Sequence, residues 1–199
     1  MMRRLLCLAA GLVLVATSAG CDWRRPAPTF QSTDITGVEW GRDFHLTDRH
    51  GTPRSVADFR GKVVLVFFGY THCPDMCPTS LAKMAAVVEL LGKQGERVQG
   101  IFITVDPARD TAEVLAKYVP AFHPTFIGLR GDTATTAKTA ESFKLFFKLQ
   151  APDSSGNYTV DHFGAIFAFD PQGRMRLLIR PHAAVDAIAG DLNQLLDPS

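Results

Sequence analysis

The sequence predicts an α/β fold in which a central mixed sheet carries helices on both faces. Three observations predict it. A continuous apolar run at residues 62–68 (KVVLVFF, apolar after its leading lysine) and a second, mostly apolar stretch at 98–105 read as buried strands. Each run is followed by a stretch with helical periodicity. The last third changes pattern to strand, tight turn, strand, helix. An order of βα, βα, β-hairpin, α needs a sheet of mixed direction with helices over both faces.

Along the chain, residues 1–20 read as a secretory leader. Arg3 and Arg4 precede an uncharged apolar stretch at 5–16 and the small residues Thr17-Ser18-Ala19-Gly20, and Cys21 follows. Ser18-Ala19-Gly20-Cys21 resembles a bacterial lipobox, which makes Cys21 a candidate lipidation site. Lipidation would give the mature chain a stable membrane anchor. Asp22 after it resembles an inner-membrane retention signal. The expected place is therefore the periplasmic face of the bacterial inner membrane, or the soluble periplasm if Cys21 is not lipidated. Residues 21–40, with Pro26 and Pro28, read as a tether, and residues 41–199 as the folded domain.

Within the domain, residues 44–46 suit a short strand, and 48–53 a turn. The strand at 62–68 leads through a loop into a helix at 79–93, with Leu81, Met84, Ala85, Val88 and Leu91 on one stripe. A second buried strand fills 98–105. Asp110 and Glu113 are spaced as a capping box for a helix at 110–119. A short strand is expected at 126–129 and a helix at 133–148, with Phe143, Phe146 and Phe147 as core. A strand within 158–169 turns at Asp170-Pro171-Gln172-Gly173 into an antiparallel partner at 174–179, and 184–196 form the last helix.

Composition narrows the function. Hydrophobic residues are 46% and charged residues 21%, which suits a packed core and rules out wholesale disorder. The formal charge is +1, so there is no basic surplus for nucleic acid and no such partner is expected. No apolar run reaches the roughly 18 residues of a membrane span.

Four cysteines occur: Cys7, Cys21, Cys73 and Cys77. Cys7 leaves with the leader and Cys21 is the acylation candidate. The domain then keeps one pair, Cys73 and Cys77, in an oxidising compartment. A disulfide across so short a loop would add little stability, so a purely structural bridge is the weaker reading. The pair lies after the first long strand, at a helix N-terminus, which is the thioredoxin-like arrangement. Pro74 and Pro78 follow the two cysteines, and the regular helix is expected to start near Pro78. The positive helix end favours the thiolate, the form that attacks disulfides and binds metals. Two thiolates suit a soft ion such as Cu(I), and Cu(II) with added ligands. A closed zinc site would want four protein ligands, and no further Cys is present. Three intervening residues leave room for a metal without forbidding a disulfide.

A third ligand must come from His45, His50, His72, His123, His162 or His182. His72 would point away from the neighbouring sulfur in an extended segment and is a tuning candidate. His45, His50 and His182 read as surface residues, and His123 as a loop residue. His162, in Val160-Asp161-His162-Phe163, enters an apolar strand on the side where a thioredoxin-like sheet meets its Cys loop. From position it is either the third ligand or a hydrogen-bonded strand-entry histidine. Asp75, between the cysteines, is either a solvated turn residue or an electrostatic tuner of the thiolates. Asp110 reads as a helix cap, with partner docking the alternative for it and for Asp106.

The stretch from Lys62 through Phe67-Phe68-Gly69-Tyr70-Thr71-His72-Cys73-Pro74-Asp75-Met76-Cys77-Pro78 closely resembles the signature of the Sco/SenC family. Val105-Asp106-Pro107 with Arg109-Asp110-Thr111 resembles that family's second motif, and Tyr158-Thr159-Val160-Asp161-His162 its third. The likeness covers roughly residues 40–197. It implies a membrane-tethered, thioredoxin-like domain that binds copper through Cys73, Cys77 and His162. It also implies help in building the dinuclear copper centre of cytochrome c oxidase, as copper donor, as thiol reductase of the copper-centre subunit, or both. In the second role Cys73 and Cys77 would be a redox-active pair that cycles through a disulfide. Periplasmic copper chaperones or thiol reductants are further expected partners. No turnover in the usual enzymatic sense is expected of a metal donor. After His162 the chain reads Phe163-Gly164-Ala165, where the family has a small polar residue next.

Overall fold

A computed structural model describes residues 29–197. The expected leader, the lipidation candidate Cys21 and the first part of the tether lie outside them. Ten strands and four helices alternate in these bounds: β1 (Thr33–Asp34), β2 (Leu46–Thr47), β3 (Pro53–Arg54), β4 (Val63–Gly69), α1 (Met76–Leu90), β5 (Val98–Thr104), α2 (Ala112–Tyr118), β6 (Ile127–Leu129), α3 (Thr133–Ser142), β7 (Phe147–Leu149), β8 (Val160–His162), β9 (Ile166–Phe169), β10 (Met175–Ile179) and α4 (Val185–Leu196). The main sheet has six strands in the order β1-β10-β9-β4-β5-β6. β4, β5 and β6 run parallel, and β9, β10 and β1 add antiparallel neighbours. The predicted mixed sheet is what forms.

β4 is central and buried along its whole length. With both faces covered it has no polar side to alternate with, hence the unbroken apolar run. Phe67 pairs in register with Phe102, and Gly128 lies beside Phe102 on β6, so these three share one face. Tyr118 of α2 meets Phe102 there at 5.9 Å between ring centroids, and α1 packs on α4. The other face carries Phe68 and Phe167. Phe143, at the end of α3, sits 5.0 Å from the first ring and 5.4 Å from the second, with Trp40 beside Phe167. Helices therefore cover both faces, and fully burying each large apolar side chain contributes about 1.5–3 kcal/mol.

Four expectations are corrected. Residues 30–40 are not free tether. Phe30, Ile35, Val38 and Trp40 pack on the core, and β1 extends the sheet. Asp191, buried within α4, accepts the N–H groups of Gln31 and Ser32, both at 2.8 Å. The first helix starts at Met76, before Pro78. Pro78 is its third residue, where the backbone N–H has no intrahelical acceptor and its loss costs nothing. α3 stops at Ser142, well short of 148. Leu145 N–H bonds to the Ala140 carbonyl and Lys144 N–H to that of Glu141, both at 2.9 Å, with Lys144 at φ 54°. That is a Schellman stop with lysine in the left-handed position glycine usually takes. The chain turns out into β7 as a result, and Phe146 is 72% exposed while Phe143 is core and Phe147 half-buried. The single strand expected within 158–169 is two separate strands. β8 pairs with β7 in a two-stranded ribbon, and β9 belongs to the main sheet.

Candidate metal centre

The cysteine loop grows directly from the central strand. After Gly69 the chain turns, with Cys73 N–H on the Tyr70 carbonyl at 3.2 Å, and enters α1 at Met76. Cys77 is the second helical residue and fully buried, whereas Cys73 is half-buried. Both are free thiols. The Cys77 N–H, one of the helix's unpaired N-terminal donors, points at the Cys73 sulfur at 3.4 Å. Gly69 makes room for the second sulfur. A Cβ there would lie 2.7 Å from Cys77 Sγ and 2.9 Å from the Phe102 ring.

His162 closes the site from the end of β8. Its Nε2 lies 3.4 Å from Cys77 Sγ. The ring stands edge-on to Phe67 and Tyr70, with centroids 6.0 and 5.9 Å away. Its Nδ1 is buried and has no hydrogen-bond partner. One ligand atom each from Cys73, Cys77 and His162 falls within 4.8 Å of the others. Bonds of about 2.0–2.3 Å to N and S hold trigonal ligand atoms about 3.5–4 Å apart, so a small inward movement completes a two-sulfur, one-nitrogen site. This donor set is soft, and it fits copper. No other three His, Cys, Asp or Glu side chains converge in this way among the described residues.

Burial sets the electrostatics. It pushes the Cys77 thiol well above its usual pKa, with the neighbouring Cys73 and Asp110 adding to the rise against a hydrogen bond from the Tyr70 backbone. The expected gain from the helix end does not overcome this at Cys77. Burial also lowers the pKa of His162, keeping the imidazole neutral, as a ligand must be.

The remaining candidates sort by position. His72 is exposed, its Nδ1 against the Thr71 hydroxyl at 3.2 Å. His123 pairs with the Thr125 hydroxyl and stacks on Phe126, and His45, His50 and His182 are exposed. Asp75 is exposed and accepts from the Thr79 hydroxyl at 3.2 Å. The capping box at Asp110 does not form, because Thr111 is the N-cap and its hydroxyl accepts from Val114 N–H. Asp110 turns inward, fully buried. It accepts from the Thr71 and Thr104 hydroxyls at 2.6 Å each and from Thr71 N–H at 3.1 Å. It thereby clamps the turn that carries Cys73. Asp106 is equally buried, bound to Arg109 and the Tyr158 hydroxyl. Neither aspartate reaches a docking surface. Thr71, Arg109 and Tyr158 escaped sequence reasoning, because a hydrogen-bond partner 39 or more residues away leaves no local pattern; Thr104, six residues from Asp110, escaped because it reads as one more residue of a buried strand.

Comparisons with known proteins agree with this geometry. The SCO1/SenC family model matches residues 33–197. The mitochondrial protein SCO2 homolog of Homo sapiens is 45% identical over 133 residues, covering 66% of this chain and 50% of that protein, so the chain spans half the length of that relative. Copper-bound ScoI of Bradyrhizobium japonicum superposes with a TM-score of 0.70 at 40% identity, over 77% of this chain and 98% of that one. Apo Sco1 of Thermus thermophilus gives 0.75 at 40% identity, over 84% and 98%. A match that runs nearly end to end through the described domain leaves a single assignment: this chain belongs to the SCO1/SenC family.

Proposed function

We propose that the domain is a copper metallochaperone that assists assembly of the dinuclear copper centre of cytochrome c oxidase. Copper is its cargo, held by the two cysteine sulfurs and the His162 imidazole. The convergence of those three groups within 4.8 Å carries the reading. The copper-bound relative from Bradyrhizobium japonicum supports it. The chain would act at the periplasmic face of the inner membrane, anchored through acylated Cys21, with the copper-centre subunit of the oxidase as recipient.

Anaerobic Cu(I) titration tests the site. Wild type is expected to take one copper per chain, Cys73→Ser and Cys77→Ser to lose it, and His162→Ala to bind about 10–100-fold more weakly. Unchanged affinity in His162→Ala would remove the imidazole from the ligand set. Mixing the loaded form with the apo copper-centre subunit tests delivery. Uptake also expels the proton that burial keeps on Cys77. Apparent affinity should therefore rise with pH in the range below that thiol's pKa, and a flat profile across pH 6–8 would contradict this.

The unequal exposure of the two thiols favours a second activity, reduction of a disulfide in the recipient. Half-exposed Cys73, as thiolate, would attack one sulfur of the target, forming a mixed disulfide and releasing the other sulfur as thiolate. Cys77 would then give up its proton and displace the target's remaining sulfur. The Cys73–Cys77 disulfide forms as two electrons pass to the target. Such exchange needs both cysteines but no imidazole ligand. Full biological activity in His162→Ala with none in the cysteine variants would select this reading over the first.

A further inference from the structure

The imidazole stands on an arm that the main sheet does not hold. β8 pairs with β7 alone, in a ribbon separate from the six strands. A two-stranded ribbon is marginal by itself in water, so whatever ties it to the body decides where His162 sits.

Val160 of β8 packs into the core, and one side chain adds a polar tie beside the cysteine loop. Arg109 follows β5 in the loop that leads to α2, and it is largely buried. Its Nε donates to Asp106 Oδ2 at 2.5 Å, and Nη1 donates to the Tyr158 carbonyl at 2.9 Å. The guanidinium carbon stacks 3.5 Å from the centroid of the Tyr158 ring and lies 5.6 Å from that of Tyr70. The Tyr158 hydroxyl returns to Asp106 Oδ1 at 2.9 Å. Asp106 is itself fixed at the sheet, its N–H on the Thr104 hydroxyl at 2.9 Å. A continuous line of contacts thus runs from the end of β5 through Asp106 and Arg109 to Tyr158, four residues before His162. At the far end of the same loop, Asp110 grips Thr71, two residues before Cys73.

We propose that Arg109 is a positioning residue for His162: it latches the β7–β8 arm to the loop that also clamps the cysteine turn, and so sets the distance between the imidazole and the sulfurs. The inference rests on the copper reading above. Arg109 touches none of the three ligands and acts through Tyr158. Lysine cannot replace it, because the role uses a planar group that stacks and bonds in two directions together.

A double-mutant cycle on copper binding tests the latch, with wild type, Arg109→Ala, His162→Ala and the pair titrated with Cu(I). Cu(II) electron paramagnetic resonance reads the nitrogen ligand in each. Arg109→Ala is expected to weaken Cu(I) binding about 10–100-fold and to lose the nitrogen signature, matching His162→Ala. The pair should bind as His162→Ala alone does, because a latch has nothing to position once the imidazole is gone. Arg109→Lys should resemble Arg109→Ala. If Arg109→Ala unfolds, Tyr158→Leu breaks the same latch from the arm side and takes its place in the cycle. Wild-type affinity with an intact nitrogen signature in the latch variant overturns the proposal, as does a strictly additive loss in the pair. Failure of the copper reading looks different: His162→Ala itself then binds as wild type does.

Discussion

Gly69 ends β4 where the Cys77 sulfur needs the space of a side chain. Alanine there would press on that sulfur and on the Phe102 and Phe67 rings at once. All three are buried, so relief must come through the backbone. Gly69→Ala should cost about 1–3 kcal/mol by urea denaturation and weaken Cu(I) binding as well. Unaltered copper affinity would show that the sulfur has room to move. Asp48 supplies a pH-dependent case away from the metal. Burial pushes its carboxyl up, yet the His50 and Thr52 N–H groups and the Arg54 guanidinium together hold it below the ordinary carboxylate value. A depressed pKa contributes stability above the unfolded value, about 3.9, and that contribution is lost as pH falls through the folded one. Asp48→Asn should therefore be less stable than wild type at pH 7, with the gap closing below about pH 4. A gap that persists at pH 2 would assign the loss to something other than charge. Residues of this kind were only partly legible in the sequence. Cys73, Cys77 and His162 could be found from spacing, placement and family resemblance. Asp110 could not, because an aspartate three residues before Glu113 has the form of a capping box whether or not it turns inward.

At the scale of elements, the strands read best. An unbroken apolar run as short as 63–68, rich in β-branched and aromatic residues, suits a strand covered on both faces and little else, and the hairpin turn at 170–173 carries its own chemistry. α3 read worst. Phe143, Phe146 and Phe147 keep helical spacing past its true end, and the stop is written by Lys144, a residue that does not announce a left-handed turn. The same misreading hid β7, and with it the arm that brings His162 to the sulfurs. Lys144→Gly should relieve the strained backbone and raise stability by at most about 1 kcal/mol. Thermal unfolding measures it, and a lower melting temperature would show that the lysine side chain matters more than its φ.

The whole domain is larger than composition suggested, because Phe30 to Trp40 belong to it. Few apolar residues mark that segment, and its attachment depends on Asp191, some 160 positions away in sequence. Asp191→Ala removes the acceptor of two charge-assisted bonds, each worth about 1.5–3 kcal/mol. It should open residues 29–40 to limited proteolysis while the metal site at the end of β4 keeps its copper affinity. Continued protease resistance would credit Phe30 and Trp40 packing with holding the segment. The pair of sulfurs also has a consequence for traffic. One is sealed beneath the first turn of α1 and the other opens to the surface. Under the proposed copper role, a visiting protein would meet the outer sulfur and the half-exposed imidazole before the sealed sulfur. Exchange would then be one-sided and ordered, the inner bond being the last to part.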